Sequence, residues 1–312
     1  MSNIKNTFKV KVLGTKGYEG EGVSNHGDCI IVYDEFNKTM ILYDCGSEQH
    51  AENVIEFMES KGIKQTDIVL SHNDSDHFDG ILRLIDEDKV DKVFTTLLLK
   101  YVDNILDILD NDSRTRKATK KRILDLYDNI AKLEGNNLKD IYFDESELPV
   151  GVSLVGPDED TMLEAVAKAI KENDIQTSDG SETVVNATSL QIAVTIEGGR
   201  GLLLLGDAAV ENVICKFSDY WYVQLPHHGK KASAETVLES IENDDDDGTA
   251  KHTFLVSDNT GNTNGGSVAL MDSPISVGVD IRNTKDGNIE IGMPSYATVK
   301  SASRDYGICY GT

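Results

Sequence analysis

The sequence predicts a mixed α/β chain in which sheets are covered by helices. Short β-rich runs alternate with stretches of helical period in the first third, a long charged helical stretch at about 101–135 interrupts them, and the same pattern returns in the second half. In order, Phe8–Leu13, Cys29–Tyr33 and Met40–Tyr43 read as strands, Glu48–Lys61 as a helix and Asp67–Leu70 as a further strand. From Tyr101 to Leu133, Ile105, Ile108 and Leu109 share one face, and the helix-start pair Asp112-Ser113 divides the stretch. A helical hairpin inserted between sheet halves is therefore expected. Val152–Val155 reads as a strand and Thr161–Lys171 as a helix, whose preceding Asp158, Glu159 and Asp160 suit the positive end of its dipole. Ser189–Ile196 and Gly201–Leu205 read as a hairpin turning at Gly198-Gly199. A helix near Ala208–Phe217 and strands at Trp221–Leu225 and Phe254–Val256 follow.

Residues 1–265 are expected to form one domain. Residues 266–312, after the Gly- and Asn-rich run Asn259 to Gly266, are expected to be a β-rich extension packed on it, with a hairpin turn near Asp286-Gly287. The acidic run Asp244–Asp247 reads as a solvated loop.

Thirty Lys and Arg stand against 54 Asp and Glu in the 312 residues, a formal net charge of −24. Such a surface repels polyanions and argues against non-specific coating of DNA. The four cysteines, Cys29, Cys45, Cys215 and Cys309, form no CxxC pair, so neither a zinc knuckle nor a disulfide framework is expected, and a reducing, cytoplasmic setting fits. Apolar bursts such as Leu202–Leu205 fall far short of the ~20 residues that span a bilayer, so no membrane insertion is expected.

Chemistry concentrates at strand ends. Ser71-His72-Asn73-Asp74-Ser75-Asp76-His77-Phe78-Asp79-Gly80 sets two imidazoles and two carboxylates in six positions of what reads as a tight loop, where side chains converge as metal coordination requires. The plainer alternative is a polar strand-to-helix loop with Asp76 or Asp79 as helix cap. Leu202–Leu205 ends on Gly206-Asp207, and Val223-Gln224-Leu225 ends on Pro226-His227-His228-Gly229. A hydrophobic strand thus delivers a carboxylate to its rim, and another delivers two imidazoles.

In this order the motifs resemble the metallo-β-lactamase superfamily, whose signature is HxHxDH. The resemblance is closer to its ComEC-like branch of competence DNA-uptake proteins, which has HxDxDH, as here with Asp74 in place of the second histidine. Gly27-Asp28-Cys29-Ile30-Ile31-Val32 resembles that branch's GDA-type strand, Asp44-Cys45-Gly46 its D-x-G turn and Asn186 to Ser189 its N-x-x-S strand start. The resemblance covers roughly residues 8–260 and implies an αββα sandwich with a metal site at one sheet edge. It implies that His72 and Asp74 serve one divalent ion and Asp76 and His77 a second, that Asp207 bridges them and that His227 completes the first site. His228 is then a ligand or a proton donor, and Asp44 orients a ligand or caps its own turn.

Two divalent ions about 3.5–4 Å apart clamp an oxyanion and hold a water of lowered pKa as nucleophile, and the resemblance implies Asp76, Asp207 and His228 as the catalytic residues. Asp74 hardens the site and moves preference from Zn²⁺ towards Mn²⁺ without excluding zinc. Many superfamily members have a further histidine after the last core strand. None follows Phe254–Val256 here, where Asp258 and Asn259 are the substitutes at hand.

A phosphodiester, in a nucleic acid or a nucleotide, is the expected substrate, because two metals suit phosphoryl transfer and Lys230-Lys231 directly follow the Pro226-His227-His228-Gly229 loop. A second basic group, Arg114, Arg116, Lys117, Lys120, Lys121 and Arg122, lies in the insertion; Arg114, Lys117 and Lys121 share a helix face, for which a solvated surface is an equal reading. The expectation is a metal-dependent phosphodiesterase or nuclease, acting alone or with a protein partner. The alternatives are a lactone, thioester or β-lactam hydrolase of the same fold, and a metal-stabilised binding or sensor subunit beside a nucleic-acid-handling partner. His26 and His50 read as surface or turn histidines, and Tyr220, Trp221 and Tyr222 as strand residues that pack on a sheet face.

Overall fold

Two sheets are built on one plan, an antiparallel half continued by a parallel half. In the first, β1 (Phe8–Val12), β2 (Ile30–Asp34) and β3 (Thr39–Tyr43) run antiparallel, and β4 (Thr66–Val69), β5 (Val90–Thr95) and β6 (Leu138–Asp140) add in parallel. In the second, β7 (Val152–Gly156), β8 (Gln191–Thr195) and β9 (Gly201–Leu204) run antiparallel, and β10 (Tyr220–Gln224), β11 (Thr253–Val256) and β12 (Asp280–Asn283) add in parallel. A last strand, β13 (Ile289–Ile291), returns to the first sheet beside β1. The computed structural model describes residues 8–15, 27–109, 116–126, 128–133, 135, 137–172, 183–196, 201–244, 248–257 and 267–292. His26, Asp112-Ser113, Arg114, Gly198-Gly199, Asp245 to Asp247, Asp258, Asn259 and Cys309 lie outside them.

The continuous apolar runs follow from burial on both faces of each sheet. Along β2, Ile30 and Val32 face the other sheet while Ile31 and Tyr33 face helices; along β9, Leu202 and Leu204 face inward and Leu203 outward. Helices α1 (Glu48–Lys61) and α2 (Ser75–Asp86) cover the first sheet through Val54, Met58, Phe78, Ile81 and Leu84. The insertion contributes α3 (Val102–Ile108) and α4 (Arg116–Leu126), which share a small core with Met162, Val166 and Ile170 of α5 (Glu159–Glu172) and with Val184 and Val185. Helix α6 (Lys231–Asp244) covers the second sheet through Ala234, Val237, Leu238 and Ile241. The result is an αββα sandwich with a helical insertion. Among the described residues, the 21 buried side chains between the sheets make the largest of its apolar clusters, and each large one contributes ~1.5–3 kcal/mol.

Several expectations are corrected. No helix spans Ala208–Phe217: a single 3₁₀ turn, Val210–Asn212, ends because Asn212 donates its side-chain amide to the Ala187 carbonyl (2.7 Å) and accepts Gln191 Nε2 on its own carbonyl (3.2 Å), after which Val213 is extended. Asp286-Gly287 turns no hairpin, because β12 and β13 belong to different sheets and the segment crosses between them. Asn288 fixes that crossing by accepting Gly14 N–H (2.8 Å). His50 is fully buried in the first turn of α1, not at the surface. Ile108 stays exposed while Ile105 and Leu109 are buried. Trp221 is 41 % exposed, because the β9–β10 register shifts between Tyr220 and Tyr222 and turns it outward. Cys29, Cys45 and Cys215 are free cysteines. Among the described residues, no helix is long and apolar enough to cross a membrane.

Candidate metal centre

Strand direction gathers the polar residues. β3 and β4 are parallel, so Asp44 and Ser71-His72 leave the first sheet at one edge. β2 is antiparallel to β3 with Ile30 opposite Tyr43, which places Asp28, before β2, at the same edge. In the second sheet β9, β10 and β11 are parallel and bring Asp207, His227-His228 and Ser257 out together. The two edges are joined: Leu190 N–H donates to the Ser71 carbonyl (2.9 Å), and Tyr43 Oη donates to the Leu190 carbonyl (2.7 Å). Gly206, at φ 54°, sits so close that a Cβ there would lie 2.9 Å from Ser71 Oγ.

The HxDxDH motif is only half loop. α2 begins at Ser75, so Asp76 and His77 stand in its first helical turn, and Asp74 holds the cap position without a side-chain cap bond. Its carboxylate therefore remains available. On the opposite wall, His227 and His228 (both φ 53°) and Gly229 (φ 76°) form three successive left-handed residues, and Asp44 (φ 58°) is left-handed as well. Such conformations cost of order 1 kcal/mol each outside glycine and persist where surrounding structure imposes them. Here they turn the two neighbouring imidazoles to different sides, with ring planes at 87°.

Three imidazoles follow one rule. His77 donates Nδ1–H to Asp44 Oδ2 (2.8 Å) and sets Nε2 3.4 Å from Asp207 Oδ1. His228 directs Nδ1 to the Ser257 carbonyl (3.0 Å) and Nε2 to Asp76 Oδ2 (3.2 Å) and Asp207 Oδ1 (3.7 Å). Ser71 spends its hydroxyl proton on Asp44 Oδ2 (2.6 Å), so its oxygen accepts His72 Nδ1–H (2.9 Å), leaving His72 Nε2 3.8 Å from Asp74 Oδ2. Ser189 Oγ lies 3.2 Å from the same Nδ1 and accepts Asp207 N–H (3.3 Å). Asn186 Nδ2 donates to Asp207 Oδ2 (3.3 Å).

Burial and charge oppose each other throughout. Burial pushes Asp207 up, but His228, His77 and His227 outweigh it and hold this carboxyl well below the usual range. Burial pushes His77 and His228 down, yet the carboxylates around them, Asp207 foremost, hold both well above the usual imidazole range. Asp76 is likewise lowered against its burial by His77 and His228. His72 is pushed down to about 3 by burial and by His77, and burial pushes Asp74 up to about 6. With protein groups alone, imidazolium must balance these buried carboxylates.

A divalent cation would balance them with neutral imidazoles, and the donors fit one. Although buried, His72 Nε2, His77 Nε2 and Asp207 Oδ1 meet no hydrogen-bond partner among the described residues, which is costly unless a ligand completes them. His72, His77 and Asp207 offer ligand atoms all within 4.8 Å of one another, as do Asp76, His77 and His228, and also Asp28, Asp207 and His228. Mixed imidazole and carboxylate donors suit Zn²⁺ and Mn²⁺.

Of the residues singled out from sequence, His72, Asp76, His77, Asp207 and His228 come together. Asp74 is partly exposed at their margin, and His227 is more peripheral, its Nε2 3.8 Å from Asp207 Oδ2. Lys230 follows the histidine turn, its N–H bonded to the His227 carbonyl (2.9 Å), while Lys231 is exposed and 3.7 Å from Glu235. Sequence reasoning assigned no role to Asp28, Gln224, Asn186 or Ser189. Asp28 precedes its strand, so only the strand pairing shows that it reaches the same edge as Asp44.

No family model matches the sequence. No curated protein matches it either. Among solved structures, the chain is similar to the metallo-beta-lactamase fold protein YhfI from Bacillus subtilis (12% identity, TM-score 0.46, covering 91% of this chain and 99% of that one). It is also similar to Igni18, a metallo hydrolase from the hyperthermophilic archaeon Ignicoccus hospitalis (11%, TM-score 0.45, 91% and 98%), and to BLEG-1 B3 metallo-beta-lactamase (14%, TM-score 0.32, 75% and 84%).

Proposed function

We propose that this chain is a divalent-metal-dependent hydrolase whose substrate is a phosphodiester, in a nucleic acid or a nucleotide. The observation that carries the metal reading is the common orientation of His72, His77 and His228, each with Nδ1 engaged by a protein oxygen and Nε2 towards carboxylates, the arrangement of ligating histidines. In this reading His72, Asp74 and His227 would hold one ion and Asp76, His77 and His228 a second, with the Asp207 carboxylate shared between them. A bound Zn²⁺ or Mn²⁺ supplies Lewis-acid polarisation and lowers the pKa of water.

The chain's own residues do the positioning. Asp44 orients His77 directly and His72 through Ser71. Asn186 holds Asp207 Oδ2, and α2 presents Asp76 and His77 from one helical turn. The phosphodiester reading is supported by cations placed against a strongly acidic average: Lys230 beside the histidine turn, and the exposed Lys117, Lys120 and Lys121 of the insertion.

Purified protein supplemented with Zn²⁺ or Mn²⁺ tests this on bis(4-nitrophenyl) phosphate and a single-stranded oligonucleotide, beside lactone, thioester and β-lactam substrates. Phosphodiester cleavage that Asp76→Ala and Asp207→Ala abolish is expected. Cleavage confined to the other esters or the β-lactam overturns the substrate. A protein that holds no metal after supplementation overturns the metal reading.

A further inference from the structure

We infer that Asp28 and Gln224 form a buried brace that sets His228 for metal binding, which makes Asp28 a positioning residue; the inference rests on the metal reading above. Asp28 has no solvent exposure, and Gln224 is 1 % exposed. The Asp28 carboxylate lies on the Nδ1 side of His228, its otherwise unbonded Oδ1 3.2 Å from that nitrogen and beside the Ser257 carbonyl that takes the Nδ1 hydrogen bond (3.0 Å), whereas Nε2 faces Asp76 and Asp207. Its other oxygen accepts Gln224 Nε2. Gln224 Oε1 in turn accepts Leu205 N–H (3.0 Å) and Gly206 N–H (3.2 Å), the two amides before Asp207.

The backbone closes the brace on its fourth side. Asp28 N–H donates to the Asp76 carbonyl (3.0 Å), and a Cβ on Gly27 would fall 1.5 Å from that same oxygen, so the chain before β2 packs directly on the first turn of α2. One aspartate thus touches the segments that carry Asp76 and His228 and, through Gln224, the one that carries Asp207. His228 needs such support because its left-handed backbone does not by itself set the ring. The Ser257 carbonyl takes the Nδ1–H, and the Asp28 charge beside it keeps the proton on that nitrogen and Nε2 open for a ligand; losing an outer partner of this kind weakens metal binding 10–100-fold. Gln224 is the neutral donor that lets the carboxylate stay buried at the end of an apolar strand.

The test compares wild type with Asp28→Asn and Gln224→Met, using Zn²⁺ alone in competition with a chromophoric chelator, Co²⁺ absorption spectra, melting of the metal-free proteins, and hydrogen exchange of the Leu205 and Gly206 amides. Both variants should bind Zn²⁺ at least tenfold more weakly and shift the Co²⁺ bands, and Gln224→Met should speed exchange of those two amides in the metal-free protein. Val54→Ala, a core change in α1, serves as control: it should lower the melting temperature and leave Zn²⁺ affinity unchanged. If wild type binds Zn²⁺ and a folded Asp28→Asn or Gln224→Met binds it equally well with an unaltered Co²⁺ spectrum, the brace is overturned alone. If wild type binds no Zn²⁺, the metal reading fails and the inference falls with it.

Discussion

His77 and Asp44 form a wholly buried pair, Nδ1 to Oδ2 at 2.8 Å, and the same carboxylate accepts both the N–H and the hydroxyl of Ser71 at 2.6 Å. One aspartate therefore governs two rings, His77 by direct contact and His72 through Ser71. Asn at this position tolerates the left-handed backbone and keeps an acceptor, but it loses the charge that holds His77. Asp44→Asn should weaken Zn²⁺ binding by 10–100-fold in chelator competition. Asp44→Ala should in addition destabilise the metal-free fold by about 3 kcal/mol, read from denaturant unfolding, since it leaves the His77 Nδ1–H and the N–H and hydroxyl of Ser71 buried without their acceptor.

Metal binding should release protons. His77 and His228 are held above the usual imidazole range by surrounding carboxylates, and an ion must displace the protons they carry at neutral pH. Raised folded-state values mean that these two histidines stabilise the metal-free protein at low pH and lose that contribution as pH rises through them. Lowered values at Asp76 and Asp207 act oppositely, their contribution present above the ordinary carboxylate range and lost as pH falls. Zn²⁺ affinity should thus rise with pH, and calorimetry in buffers of different ionisation enthalpy should count up to two protons released. Affinity flat from pH 6 to 8 would contradict the charge balance drawn for the cluster.

Much of this was legible from sequence where the signal is local. α1 has the limits expected from its spacing, because Ser47 accepts His50 N–H at its start and Gly62 takes the left-handed position at its end. Asp207 and the histidine pair stood out because a buried strand otherwise carries no charge. The start of α2 was hidden inside polar residues that also read as loop, and β5 was missed because Asp91 and Lys92 break its apolar run. Asp28 acquires meaning only from the β2–β3 register, and the division of β12 and β13 between sheets only from pairings far away in sequence. Which histidine of the pair reaches Asp76 depends on left-handed backbone that no periodicity encodes.

Away from the site, Asp67 on β4 is half-buried, and desolvation pushes its carboxyl up to about 6 despite the nearby Lys92. A raised carboxyl favours folding while protonated, so its contribution is present below ~4 and lost as pH rises through about 6. At pH 7.5 the ionised group is therefore a cost, at most ~3 kcal/mol and nearer 1 kcal/mol once solvent screening of a half-buried group is allowed for. Asp67→Asn keeps an acceptor for the Lys92 backbone N–H. It should stabilise the protein by about 1 kcal/mol at pH 7.5 and leave it unchanged near pH 3.5, read from urea midpoints.

The insertion reaches the motif through Asn73. Its side-chain oxygen accepts Ile130 N–H (3.1 Å) and its carbonyl accepts Asn129 Nδ2 (2.7 Å), so residues after α4 hold the loop between His72 and Asp74. The insertion has its own small core with α5, and it can therefore hold that loop as a packed body and not as a flexible strap. Removing one such bond costs about 1 kcal/mol of net stability, and the loop it frees carries two of the proposed ligands. Asn129→Ala should lower stability by that amount and weaken Zn²⁺ binding several-fold, less than Asp44→Asn because the imidazole Nδ1 contacts remain. Zn²⁺ affinity equal to wild type, with the stability loss present, would show that the loop keeps its shape without the insertion.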